Sequence, residues 1–88
     1  PFGALLENGW LKPGDRLFSP QRRFQARIRV DGSLTTGAVS GSIHRLGAHV
    51  QQAPACNGWT YWHFEDPKRN LAPIDLLRRR YRDEMGLN

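Results

Sequence analysis

Residues 23–30 carry the clearest alternation in the chain. Phe24, Ala26, Ile28 and Val30 fall on one side of an extended segment, and Arg23, Gln25, Arg27 and Arg29 on the other. That period of two predicts a half-buried strand. Asp31-Gly32 is a hairpin-turn dipeptide, so Ser33–Thr36 should return alongside it. Elsewhere the period is helical. Phe2, Leu5, Leu6 and Trp10 recur at helical spacing until Gly9 and Pro13-Gly14 interrupt them, which predicts a first helix over about residues 2–9. A short strand near Arg16–Phe18 should follow, turning at Ser19-Pro20. Ile43, Leu46, Gly47 and Val50 mark the inner side of a second helix over residues 42–52, capped by Ser40 or Ser42 and ended by Pro54. After a loop begun by Asp66-Pro67, a third helix is expected from Pro73 to Met85. Its apolar stripe is Ile74, Leu77, Tyr81 and Met85, with Arg78, Arg79 and Arg82 facing outward.

Between these elements lies Gly58-Trp59-Thr60-Tyr61-Trp62-His63-Phe64, which holds four of the nine aromatic residues. Read as a strand, it sends Trp59, Tyr61 and His63 to one face and Thr60, Trp62 and Phe64 to the other. One aromatic face is then left over after the core is built. Trp62, sharing its side with Phe64, is the expected core residue, and Trp59 the expected working one. The order helix, strands, helix, strand, helix predicts an α+β domain: a small antiparallel sheet of three to four strands packed with about three helices.

Eighty-eight residues make a single domain, residues 1–88, with one thin core. The lone cysteine, Cys56, has no intrachain partner, which suits a reducing cytoplasm; it reads as a small buried hydrophobe. No apolar run approaches the ~20 residues of a membrane span, and no signal-peptide pattern is present, so no membrane partner is expected. The chain opens at Pro1 inside helical sequence, which suggests a piece of a longer protein. Thirteen basic residues oppose eight acidic ones, a net charge of +5, and eleven of the thirteen are Arg. Guanidinium presents planar paired donors suited to phosphate and to guanine edges, so the balance points to a polyanionic partner.

Several constellations could meet such a partner. Arg23, Arg27 and Arg29 share a strand face with no acid between them; alternate strand residues lie roughly 6.6 Å apart, a spacing suited to phosphates along one backbone, although a solvated face also needs polar residues. Gly41-Ser42-Ile43-His44-Arg45 opens a helix with free N–H groups and a hydroxyl, either an anion site or an ordinary cap. Asn57 could bond bidentately to adenine and Trp59 could stack on an extruded base or wedge into a base step, with Tyr61 on the same side; the alternatives are an Asn-Gly turn and a Trp lid over the core. Arg78-Arg79-Arg80-Tyr81-Arg82 is more simply a solvated face, held by the pairs Asp75–Arg79, Arg79–Asp83 and Arg80–Glu84. His44, His49, His63 and Cys56 lack zinc-ligand spacing, so no metal is expected. No catalytic triad, paired carboxylates, dinucleotide loop or Asp-Pro-Pro-Tyr motif is present, so no catalysis is expected of this fragment.

The blocks Gly41-Ser42-Ile43-His44 with Gly47-Ala48, and Pro54-Ala55-Cys56-Asn57-Gly58-Trp59-Thr60-Tyr61-Trp62-His63, resemble the C-terminal domain of the cell-cycle-regulated bacterial DNA adenine-N6 methyltransferases. The same domain is found fused to restriction-modification adenine methylases. Phe2-Gly3-Ala4-Leu5-Leu6, Leu11-Lys12-Pro13-Gly14 and Pro73-Ile74-Asp75 with Leu77-Arg78 are similar too, so the resemblance spans nearly the whole chain. It implies a parent enzyme that moves a methyl group from S-adenosylmethionine to adenine N6 within GANTC sites. The cofactor pocket and catalytic motif of that enzyme lie upstream, and no cofactor is expected in this domain. The resemblance further implies DNA, duplex or locally opened, as partner, along with the enzyme's own catalytic domain. Ser42, Asn57 and Trp59 match the family's DNA-binding positions. Arg23, Arg27, Arg29, His44, Arg45 and Tyr61 complete the expected DNA-binding set, in an isolated domain expected to be monomeric and a parent enzyme expected at the bacterial nucleoid. Docking on the catalytic domain, or dimerisation, is the alternative role, since Trp and Arg also anchor protein interfaces; RNA binding by the same aromatic segment is a third.

Overall fold

Leu17, Ala26, Ile28 and Leu34 are all nearly inaccessible to solvent, and they form the buried face of one antiparallel sheet in a computed structural model that describes residues 1–86. The sheet has six strands: β1 (Arg16–Phe18), β2 (Gln25–Ile28), β3 (Leu34–Thr35), β4 (Ser40–Gly41), β5 (His63–Glu65) and β6 (Leu71–Pro73), in the spatial order β4-β3-β2-β1-β5-β6. Four α-helices accompany them: α1 (Phe2–Glu7), α2 (Ile43–Gln51), α3 (Gly58–Tyr61) and α4 (Asp75–Met85).

The α+β class is as expected, whereas the strand and helix counts are larger than expected. The alternating strand, its return partner and α2 lie where the sequence pattern puts them. The additional strands β4 and β6 are two and three residues long, too short to show a period of two, and their pairing is visible only in three dimensions. Val30, expected inward, is 87% exposed because β2 ends at Ile28 and Val30 has already entered the turn. Arg23 precedes β2, in the short 3-10 connection after β1.

The register sorts the sheet's faces. Leu17 pairs with Ala26 and Ile28 with Leu34, all buried. On the other face Arg16 stands opposite Arg27, and Arg27 opposite Thr35. Helix α2 covers the buried face through Ile43 and Leu46, and α1 and α4 complete the core with Phe2, Leu5, Ile74 and Leu77. Burial of one such side chain is worth about 1.5–3 kcal/mol. Arg22 ties the β1–β2 connection to the β5–β6 hairpin: it pairs with Glu65 at 2.9 Å, donates to the Arg69 carbonyl at 2.7 Å and lies 5.0 Å over the Phe18 ring. Those contacts hold Arg22 in the left-handed region, at φ 59°, which a residue carrying a Cβ seldom occupies. No helix among the described residues is long and apolar enough to cross a membrane.

Candidate nucleic-acid interface

Residues 58–64 do not form one strand. Gly58–Tyr61 is a single helical turn, Trp62 is the extended link and only His63 onward joins the sheet. The reason is local. The Asn57 side chain accepts from the Trp59 N–H at 3.1 Å and its carbonyl accepts from Thr60 and Tyr61, an N-cap that starts a turn where alternation had suggested extension. In a segment this short, periods of 2 and 3.6 place the same aromatics almost equally well.

The consequence for Trp59 is large. It is only 8% exposed, packed edge-on against Phe2 at 6.1 Å between ring centres. The Arg78 guanidinium covers its ring at 4.5 Å, and Arg78 is itself ion-paired with Asp75 at the start of α4. Trp59 is therefore a wall of the core that presents an edge, not the open stacking face expected of a strand residue. Trp62 is fully buried, as expected, with its indole N–H donating to the Ile43 carbonyl at 2.9 Å. Arg78 points inward over Trp59 instead of outward with Arg79.

Two hydrogen bonds rivet α3 to the first turn of α2: the one from Trp62, and one from the Gly58 N–H to His44 Nδ1 at 2.9 Å. A Cβ on Gly58 would lie 2.5 Å from the Ile43 carbonyl carbon and 2.6 Å from its oxygen, so only glycine permits this approach. Gly47 is also close-packed, since a Cβ there would stand 2.6 Å from the Cys56 Sγ, a side-chain atom. The His44 bond also defines that ring. With Nδ1 accepting, a neutral imidazole carries its proton on Nε2 and is a fixed donor there. Ser42 caps α2, its Oγ accepting from the Arg45 N–H at 3.1 Å, so the hydroxyl proton remains free to donate; Ser40, the other expected cap, lies in β4.

Ser42, His44 and the edge of Trp59 line one hollow of about 240 Å³ together with Phe2 and Gly32. His44 and Arg45 also line a neighbouring hollow of about 420 Å³ that reaches His49 and Cys56. Exposed Asn57 adjoins this ledge through Gly58. Its Oδ1 is engaged as a cap, which leaves the Nδ2 amide available to donate. Cys56 is partly rather than fully buried, and burial still pushes its thiol above the ordinary value, with a Gln51 hydrogen bond opposing. Burial likewise raises the Tyr61 hydroxyl, opposed chiefly by a hydrogen bond with Ser19.

Ser42, His44, Arg45, Asn57 and the Trp59 edge are thus gathered at the ends of α2 and α3. The other expected residues lie elsewhere. Arg23 and Tyr61 share a separate hollow with Ser19 and Val50. Arg27 occupies the sheet's open face, and Arg29 the neighbouring edge, where its Nη1 donates to Ser40 Oγ at 3.1 Å. Sequence reasoning missed Arg16, which the β1–β2 register sets across from Arg27, and Arg78, which holds Trp59. Arg16 carried no local signal because its partner is eleven residues away. The Leu77-Arg78 step did carry one, since Arg78 follows a buried residue on α4. Among the described residues no group of three His, Cys, Asp or Glu side chains could hold a metal ion.

Over 84 residues the chain is 26% identical to the Type II methyltransferase M.HinfI of Haemophilus influenzae, an alignment that covers 96% of this chain and 23% of that protein. The chain thus spans about a quarter of that relative's length. The profile of the family described as RAMA, restriction enzyme adenine methylase associated, matches residues 1–87. This chain belongs to the restriction enzyme adenine methylase associated domain family.

Proposed function

We propose that the domain binds DNA for an adenine-N6 DNA methyltransferase and helps it recognise its site, a GANTC sequence, while the catalytic step occurs outside these residues on S-adenosylmethionine bound elsewhere. The observation that carries this reading is the α2–α3 ledge. Ser42 Oγ–H and His44 Nε2–H are donors that border one hollow, and exposed Asn57 adjoins it through Gly58, beside exposed Arg45, in a chain of net charge +5. Donors held by capping and by the His44–Gly58 bond are preorganised for phosphate oxygens and base-edge acceptors. Arg23 and Arg29 add phosphate contacts, Arg27 offers one from the sheet's open face, and Tyr61 lies beside Arg23. Trp59 acts through its edge and by shaping the hollow, since its faces are covered by Phe2 and Arg78.

Two substitutions test the ledge without removing the caps. Asp accepts from backbone N–H groups as Ser and Asn do, so Ser42→Asp and Asn57→Asp should keep the fold while setting a negative charge against DNA. Fluorescence anisotropy with duplex and bubble DNA should show each variant at least tenfold weaker at unchanged melting temperature. If both bind DNA as the parent does but lose association with the methyltransferase domain, the ledge is a protein-docking surface instead.

A further inference from the structure

The open face of the sheet holds a cation pair that the ledge does not use. Antiparallel register sets Arg16 directly across from Arg27, where neighbouring Cα atoms are about 4.5–5.5 Å apart. Like charges in that position oppose folding. Both side chains are exposed, and neither has a carboxylate partner among the described residues. Arg27 is tethered by Nη1 donating to the Gly14 carbonyl at 3.1 Å. Around the pair lies a groove of about 370 Å³ whose other walls include Gln25, Thr35, Thr36 and Gly37, all uncharged. Two guanidinium groups that close can share one phosphate, each offering paired N–H donors.

The groove and the ledge look in different directions. Ala26 and Ile28, which flank Arg27 in β2, are buried in one cluster with Ile43 and Leu46 of α2, so the Arg27 side chain leaves the sheet on the side away from that helix. The shortest principal extent of the domain is 22 Å. DNA is stiff over roughly 150 base pairs, so one straight backbone segment does not serve both surfaces.

We propose that Arg16 and Arg27 form a second, sequence-independent phosphodiester site, which holds a DNA segment other than the one at the α2–α3 ledge and makes the domain bivalent. This inference rests on the DNA reading of the ledge. The second segment is either a distal part of the same molecule or another duplex.

The test uses the 88-residue chain and its Arg16→Gln/Arg27→Gln double variant. Each is loaded on a bead-bound duplex and offered a second, fluorescent duplex, with light scattering confirming a monomer. The parent should capture the second duplex and the double variant should not. The variant's affinity for a duplex long enough to reach both surfaces should also lose about 1.8 from its log–log salt slope, so that it forfeits about tenfold less affinity than the parent between 50 and 200 mM salt. Its melting temperature should not fall, because the substitutions relieve repulsion. A double variant with the parent's affinity, slope and capture overturns the inference, and so does a lower slope with no capture by the parent, which would place both surfaces on one segment. In either case a DNA-binding defect of Asn57→Asp leaves the ledge reading intact. If neither Asn57→Asp nor the arginine variant alters DNA binding, both readings fall. Capture of a second duplex in proportion to dimer mass overturns bivalency of the single domain. A long duplex captured in preference to two short ones identifies the second segment as part of the same molecule.

Discussion

Asn57 holds the fold through one atom and, on the proposed reading, offers DNA another. Its Oδ1 closes the cap of α3 and its Nδ2 is left to donate. Replacing Asn57 by Ala should cost about 1 kcal/mol through the lost cap, whereas Asp should keep that stability. Thermal melts of the two variants beside their DNA affinities separate the roles: weaker binding by Asn57→Asp at unchanged stability marks Nδ2 as a contact. Cys56 supports a chemical prediction. Because burial raises its thiol above the ordinary value of 9.0, almost no thiolate exists at neutral pH. Alkylation by iodoacetamide should be slower than for a free thiol at pH 8, and its rate should still be climbing beyond pH 9, where that of an ordinary thiol levels off; a fast reaction at pH 7 would contradict the packing of Gly47 against Cys56.

At the scale of elements, the decisive contact is α3 against the start of α2. Gly58→Ala puts a methyl group into the Ile43 backbone, which cannot yield as a flexible side chain could, and should cost about 1–3 kcal/mol or more. For a domain of this size that is a fall of several degrees per kcal/mol in melting temperature, readable by circular dichroism. Helix α4 is fastened by Arg78, which lies between Asp75 and the Trp59 ring. Arg78→Ala should lower stability by about 1–2 kcal/mol and blue- or red-shift the Trp59 fluorescence, with Lys restoring part of the loss. Trp59→Ala removes a core wall at about 3–5 kcal/mol, so loss of DNA binding in that variant would report unfolding. The helical turn at 58–61 also explains why the aromatic segment was misread. Alternation in seven residues cannot decide between a turn and a strand; the cap hydrogen bonds and the close approach to α2 do.

Across the whole molecule the charges divide into paired and unpaired sets. Arg22, Arg78 and Arg79 are in ion pairs with Glu65 or Asp75, which makes them structural. Arg16, Arg27 and Arg45 have no ion pair among the described residues, and Arg29 has none either but lies in reach of the Asp31 charge; the four spread over the open sheet face and the ledge. If those four meet phosphates, the slope of log affinity against log salt should be about −3.6 for a duplex long enough to reach both surfaces and about −1.8 for a short one. A titration series giving a slope near zero would remove the electrostatic basis of binding. The sum of charges was legible in the chain, but their sorting was not, because the pairs Arg22–Glu65 and Arg16–Arg27 join residues distant in sequence.

The sequence by itself determined the class of the molecule. Its period-two strand, its helical stripes with their caps, its excess of Arg and its Ser42-to-Asn57 blocks each depend on neighbours within a few residues or on the total, and these survive without coordinates. Only the tertiary structure decided how the aromatic segment folds and what covers it. Trp59 was expected on an open face and lies beneath Arg78 and Phe2, because burial is a property of what packs on a side chain from elsewhere in the chain. The same holds for Arg16, whose partner is set by strand register and by nothing in its own surroundings.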